Sequence, residues 1–172
     1  MTGAAALALQ DIGADLLRQE AASLDERRWD DWLALFSAQC EYWMPTWRTE
    51  EQLTEDPQSE MSHIYYASRA GLEDRIMRIR SRRSPASTPM PRTAHSIGYV
   101  RMIDGPAVGD GHFSLQSSWS CNVFYPFLKR TETFFGLAYY TLVREDDQWR
   151  IGKKKIVLLN DYIPSMLDIY CV

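Results

Sequence analysis

Residues 112–159 read as three long antiparallel strands, and the middle one has no polar face. In the first, Phe113, Leu115, Trp119, Cys121, Val123 and Tyr125 alternate with Ser114, Gln116, Ser118, Ser120 and Asn122, the period-2 pattern of a half-buried strand. In the second, Phe135, Leu137, Tyr139 and Val143 share one face, while Phe134, Ala138, Tyr140 and Leu142 share the other. A domain of this size has one core, so the second apolar face needs cover from a helix, a ligand cavity or a partner subunit. Those three options bound what the chain can do.

A chain of 172 residues fits a single domain over 1–172, large enough to bury about 70% of its unfolded surface. Six Trp, nine Tyr and six Phe can fill a core with some left over for an interface. A net charge of −4 argues against a protein that tracks phosphates, so no nucleic-acid partner is expected. No apolar run reaches about 18 residues, and the N-terminus lacks a basic region followed by an apolar stretch; neither membrane insertion nor secretion is expected, and the location is cytoplasmic. Cys40, Cys121 and Cys171 are odd in number, far apart and set among apolar neighbours, the pattern of buried reduced thiols.

Ala4 to Ala22 carries Leu9, Ile12, Leu16 and Leu17 at helical spacing, with Asp11, Asp15 and Arg18 on a wet face. After a break at Asp25–Trp29, the helical pattern returns through Trp32, Leu33, Leu35 and Phe36. A strand follows at Cys40–Met44, stopped by Pro45, and Thr46–Glu60 is an acidic loop. Gly71–Arg80 is the clearest helix, with a Leu72, Ile76 and Ile79 stripe, Glu73 and Asp74 in the first turn, and Arg78 and Arg80 at the end. Pro85, Pro89 and Pro91 make Ser84–Arg92 a connector. Strands resume at Ala94–Ile103, and a hairpin loop runs through Asp104-Gly105-Pro106 and Gly109-Asp110-Gly111. This order predicts an α+β cone, a curved antiparallel sheet packed over N-terminal helices.

Local metal-ligand motifs are missing. His63, His95 and His112 lie far apart, none has a Cys, Asp or Glu at ligand spacing, and no Cys has a His within three positions. No Gly-x-Ser-x-Gly occurs, and Ser117, Ser118 and Ser120 read as the solvent side of a strand. Acid–base chemistry in a cone pocket is the enzymatic alternative, with Asp31, His95, His112 and Tyr65 or Tyr66 as a candidate set. The plainer reading makes Asp31 a helix cap and gives His95 a local hydrogen bond.

Arg75, Arg78, Arg80, Arg82 and Arg83 form either an anion site, a solvated helix face or a source of intersubunit ion pairs. Lys153, Lys154 and Lys155 interrupt a strand. A lysine on the inner face needs a partner or an opening to water; otherwise the run protects a sheet edge or faces another subunit. The last nine residues, Pro164 to Val172, have no polar fringe after Asp168. Termini fray unless held, so this tail is expected to be buried, with a neighbouring chain as the natural cover.

Several stretches together resemble the small (β) subunit of aromatic-ring-hydroxylating Rieske non-haem iron dioxygenases, in the benzoate, toluate and anthranilate branch. They are Leu24–Phe36, Glu41–Pro45, Gln52–Pro57, Ile64–Tyr66, Gly71–Arg75, Arg92–His95, Lys153–Leu158 and Asn160–Ile163. Asn122–Thr133, with Pro126, departs from the benzoate pattern. The resemblance implies a cystatin-like or NTF2-like cone, and a non-catalytic structural subunit that forms a homotrimeric base in an α3β3 oxygenase. It implies that the large subunit carries both the Rieske [2Fe–2S] cluster and the mononuclear Fe(II). A reductase component would bring electrons from NADH, and the complex would cis-dihydroxylate an aromatic carboxylate such as benzoate with O2. No catalytic, cofactor-binding or metal-ligating residue is expected here, and the isolated chain should be inactive. The alternative is a stand-alone isomerase or dehydratase on the same cone, using Asp31 and His95. Large or charged groups crowd the ordered segments at Trp43, Arg75, Lys153, Lys154, Lys155 and Tyr170, which are expected at or near subunit contacts.

Overall fold

Alternation of buried and exposed side chains builds one six-stranded sheet, ordered β2-β1-β6-β5-β4-β3. The computed structural model describes residues 3–82, 88–104, 111–164 and 166–172, with only the backbone at Asp104. Arg83, Pro85, the turn residues Gly105, Pro106, Gly109 and Asp110, and Ser165 lie outside the described residues. The elements in chain order are α1 (Gly3–Asp25), α2 (Trp29–Ala34), β1 (Phe36–Pro45), β2 (Ser62–Tyr66), α3 (Arg69–Arg80), β3 (Arg92–Asp104), β4 (His112–Tyr125), β5 (Arg130–Glu145) and β6 (Gln148–Leu158). A 3-10 turn, Ile169–Cys171, ends the chain.

Boundaries moved where packing overrode periodicity. Phe36 opens β1 rather than closing α2, because Leu35 caps that helix and its carbonyl already accepts from Ile151 of β6 at 2.8 Å. Helix α3 starts at Arg69, so Glu73 sits a turn in and pairs with Arg69 at 2.9 Å. The sheet is mixed, not antiparallel throughout. Strands β1 and β6 run parallel, with Tyr42 beside Lys154 and Trp43 beside Lys155. The β5–β6 hairpin fixes the direction of β6, and β1 reaches its free edge from the other end of the chain, so no tight turn dictates their relative sense.

Helix α1 lies along β3 on the inner side of the sheet. Its buried residues include Gly13, Leu16, Leu17, Glu20 and Leu24, recurring every three or four positions. Ile12, expected on that stripe, is exposed. Gly13 takes the contact because the helix crosses β4 closely: a Cβ there would lie 2.1 Å from Leu115 Cδ1. Trp32, Phe36 and Tyr42 close the core beside α2, with ring centroids 4.8 Å apart for the first two.

Strand β5 settles its two faces unequally. Phe134, Ala138, Tyr140 and Leu142 are buried under the helices, whereas Leu137, Tyr139 and Val143 are half-buried and Phe135 stays 45% exposed on the outer face. The end of the tail is buried as expected, but by its own chain: Ile169, Tyr170, Cys171 and Val172 belong to the core, whereas Pro164 and Met166 are exposed. Arg75 on α3 holds the tail through a two-pronged ion pair with Asp168 (Nε–Oδ1 2.8 Å), and Asp168 also accepts from the Ile169 N–H at 2.8 Å.

Candidate functional site

Two places gather chemistry: the inside of the cone, and the outer face of the sheet. Inside, α1 supplies two carboxylates. Asp25, at its end, accepts from the Thr93 hydroxyl (2.8 Å), the His95 backbone N–H (2.8 Å) and the His95 ring at Nδ1 (2.6 Å). Burial pushes the Asp25 carboxyl up, but the hydrogen bonds from the His95 ring, the His95 backbone and Thr93 outweigh it, leaving its pKa below the ordinary value. Asp25 therefore fastens the end of α1 to the start of β3.

Glu20, one turn earlier, accepts from Lys154 Nζ at 2.8 Å and from the Tyr140 hydroxyl at 3.0 Å. Lys154 and Glu20 are 4% and 3% exposed at their side chains, so this is a buried ion pair. The ammonium also lies 5.4 Å and 5.6 Å from the Tyr42 and Tyr140 ring centres, within cation–π range. Burial, reinforced by the neighbouring Glu20 charge, raises both tyrosines well above their ordinary pKa, so they stay phenols.

Glu20, His95, Trp119, Tyr140 and Lys154 line one cavity, whose volume is about 10 Å³. That is room for about one water; an aromatic ring needs a space on the order of 150 Å³. The cone interior is filled by its own side chains. An aromatic substrate has no place between the groups that would act on it.

On the outer face the neighbouring lysines behave differently, because successive strand residues point to opposite sides. Lys153 pairs with Glu41 at 2.7 Å. Lys155 lies 4.6 Å from the centre of the Trp43 ring, and burial together with Lys153 depresses its pKa. Trp43 donates to Ser62 at 2.9 Å, and Trp47 of the acidic loop donates to the Leu158 carbonyl at 2.7 Å, drawing that loop onto the sheet. A shallow groove of about 230 Å³ runs past Ile103, Tyr139, Thr141, Lys153 and Lys155.

The residues singled out from sequence divide accordingly. Asp31 is not the partner of His95: it stands exposed in the first turn of α2, paired with Arg28 at 2.6 Å, and Asp25 holds the histidine instead. The helix end at Asp25 reaches β3, whereas α2 turns its acidic side to water. His112 is exposed at the start of β4, and His63 is half-buried on β2, where burial lowers its pKa. Tyr65 accepts from Gln58 on the loop side, and Tyr66 packs on Tyr42. Arg80 pairs with Asp30 at 2.7 Å, so the arginine run serves ion pairs within the chain at Arg75 and Arg80. All three thiols are buried and free. Among the described residues no group of three or more His, Cys, Asp or Glu side chains is placed to hold a metal ion.

Glu20 was missed by sequence reasoning. Its signal was present: it falls three and four positions after Leu17 and Leu16, on the apolar stripe of α1, where a charge requires a buried partner.

The ring-hydroxylating β-subunit family matches residues 19–165. The chain is also 40% identical to the β subunit of toluate 1,2-dioxygenase from Pseudomonas putida, over 92% of this chain and 94% of that one. It belongs to the ring-hydroxylating β-subunit family. Among solved structures, the β subunit of benzoate 1,2-dioxygenase from Burkholderia mallei superposes with a TM-score of 0.74 at 31% identity, covering 92% of this chain and 94% of that one. A hexachlorocyclohexane dehydrochlorinase shares the fold alone, at 14% identity and a TM-score of 0.63, over 95% of this chain and 91% of that one. The α+β cone expected from the order of elements is thus the fold this chain shares with a solved β subunit of its family.

Proposed function

We propose that this β subunit is a structural, non-catalytic base: a homotrimer that carries three large subunits in an α3β3 oxygenase. The iron centres, a Rieske [2Fe–2S] cluster and a mononuclear Fe(II), belong to the large subunit, and a reductase component delivers electrons from NADH. The assembled enzyme cis-dihydroxylates an aromatic carboxylate of the benzoate or toluate type with O2, in the cytoplasm. What carries this reading is the likeness to toluate and benzoate dioxygenase β subunits along nearly the whole of both chains. The half-covered outer side of β5 supports it, because Phe135, Leu137 and Tyr139 offer apolar surface that this chain's own elements leave open. No described helix is long and apolar enough to cross a membrane.

The contact residues proposed are Lys153, Lys155 and Arg75, with Trp43, Lys154 and Tyr170 standing behind them. Lys153 is exposed and Lys155 half-buried on the outer face, while Trp43, Lys154 and Tyr170 are enclosed by their own chain and shape the surface from beneath.

The test is co-expression with an iron–sulfur large subunit. One stable complex with oxygenase activity toward benzoate or a toluate is expected, and the chain alone should run as a trimer without turnover. Phe135→Glu should abolish the trimer while leaving the circular dichroism of the chain intact. A monomer that turns over a substrate, with activity lost in His95→Ala, would overturn the proposal in favour of an acid–base enzyme.

A further inference from the structure

Asp25, fully engaged as an acceptor, dictates the state of the ring it touches. A carboxylate has no hydrogen to give, so the 2.6 Å contact places a proton on His95 Nδ1. In the neutral ring Nε2 then bears a lone pair and no hydrogen. Nε2 is buried, in a side chain only 4% exposed, and among the described residues it has no hydrogen-bond partner. Trp119, on the neighbouring strand β4, is 7% exposed and has the opposite need: its Nε1–H can only donate, and among the described residues it finds no acceptor.

These two complementary groups line the same cavity, of about 10 Å³, together with Lys154 and Glu20. A buried donor and a buried acceptor left unmet are each destabilising, and native proteins rarely leave such groups without a partner. The space matches a single water, which needs two to four polar partners.

We infer that the cone contains a binding site for one water molecule, which accepts from Trp119 Nε1–H and donates to His95 Nε2. The Lys154 ammonium, which donates to Glu20 Oε1 and, at 3.5 Å, to the Val172 carbonyl, supplies a further donor on the same wall. The water joins β3 to β4 near the point where Asp25 already joins β3 to α1. It depends on the neutral Nδ1–H tautomer, and it is independent of whether the chain assembles with a large subunit.

Two measurements on the full-length chain test this. In a crystal structure at high resolution, one well-ordered solvent peak is expected within hydrogen-bond distance of both His95 Nε2 and Trp119 Nε1. A dry cavity, or a protein group seated between the two, would overturn the inference. Separately, ¹⁵N NMR of the unsubstituted protein should show His95 protonated at Nδ1, with Nε2 at the position of a hydrogen-bonded acceptor. An Nε2–H tautomer, or an Nε2 signal free of any hydrogen bond, would count equally against it. Trp119→Phe should move the Nε2 signal toward the unbonded position and remove the solvent peak, and an unchanged Nε2 signal in that variant would refute the role given to Trp119.

Discussion

Replacing Lys154 by Met leaves Glu20 buried without its cationic partner, with only the Tyr140 hydroxyl hydrogen-bonded to it. Removing one partner of a buried pair costs about 3–5 kcal/mol, since the stranded carboxylate keeps its desolvation penalty and loses its compensation. Against a total stability of about 5–15 kcal/mol this is a large share. With an unfolding entropy of roughly 2.1 cal/mol/K per residue, a chain of this length should melt about 8–14 °C lower. The double variant Glu20→Gln/Lys154→Met should recover at least half of the loss, because the amide removes the stranded charge yet still accepts from Tyr140. Urea unfolding followed by tryptophan fluorescence, at fixed protomer concentration, measures both. If Lys154→Met costs under about 1 kcal/mol, or the double variant is no more stable than the single one, the pair is not carrying the load assigned to it.

Arg75→Ala should free the tail. Asp168 would be left buried, at a cost of about 2–3 kcal/mol, somewhat below the figure for a fully buried pair because Arg75 is 23% exposed; faster carboxypeptidase trimming of Ile169–Val172 would report it. Asp25 has a folded pKa below its ordinary value, so its contribution to stability is complete above the unfolded pKa, near 3.8, and disappears as pH falls through the lower folded value. Asp25→Asn should therefore lose stability at neutral pH and show a flatter acid limb in a pH series of urea midpoints. Burial raises the thiols, Cys40 to about 11 and Cys171 to about 12, with Cys121 also pushed up. None should react with a thiol-specific disulfide reagent at pH 8 in the folded protein, and three should react after denaturation.

Much of the architecture could be read from residue patterns. The doubly apolar β5 and the Leu72, Ile76 and Ile79 stripe of α3 each state a local period that packing then obeyed, whereas the alternation in β4 breaks at Gln116, which is buried, and Ser117, read as solvent-facing, is fully buried. The acid–base alternative failed at one residue for a physical reason. Asp31 and Asp25 look alike in sequence, both acidic near a helix terminus, and only the path of the chain decides which of them faces β3.

Composition and period alone determined the fold class, the three buried thiols and an excess of apolar surface on β5, because burial of side chains follows strand and helix repeats that are local properties. Only the folded arrangement decided which lysine of three turns inward, which carboxylate meets it, that β1 joins β6 in parallel, and that the tail is covered by its own cone. Those outcomes join residues far apart in the chain, more than a hundred positions for Lys154 to Glu20 and for Tyr140 to Glu20, and no local repeat encodes a contact made across the chain.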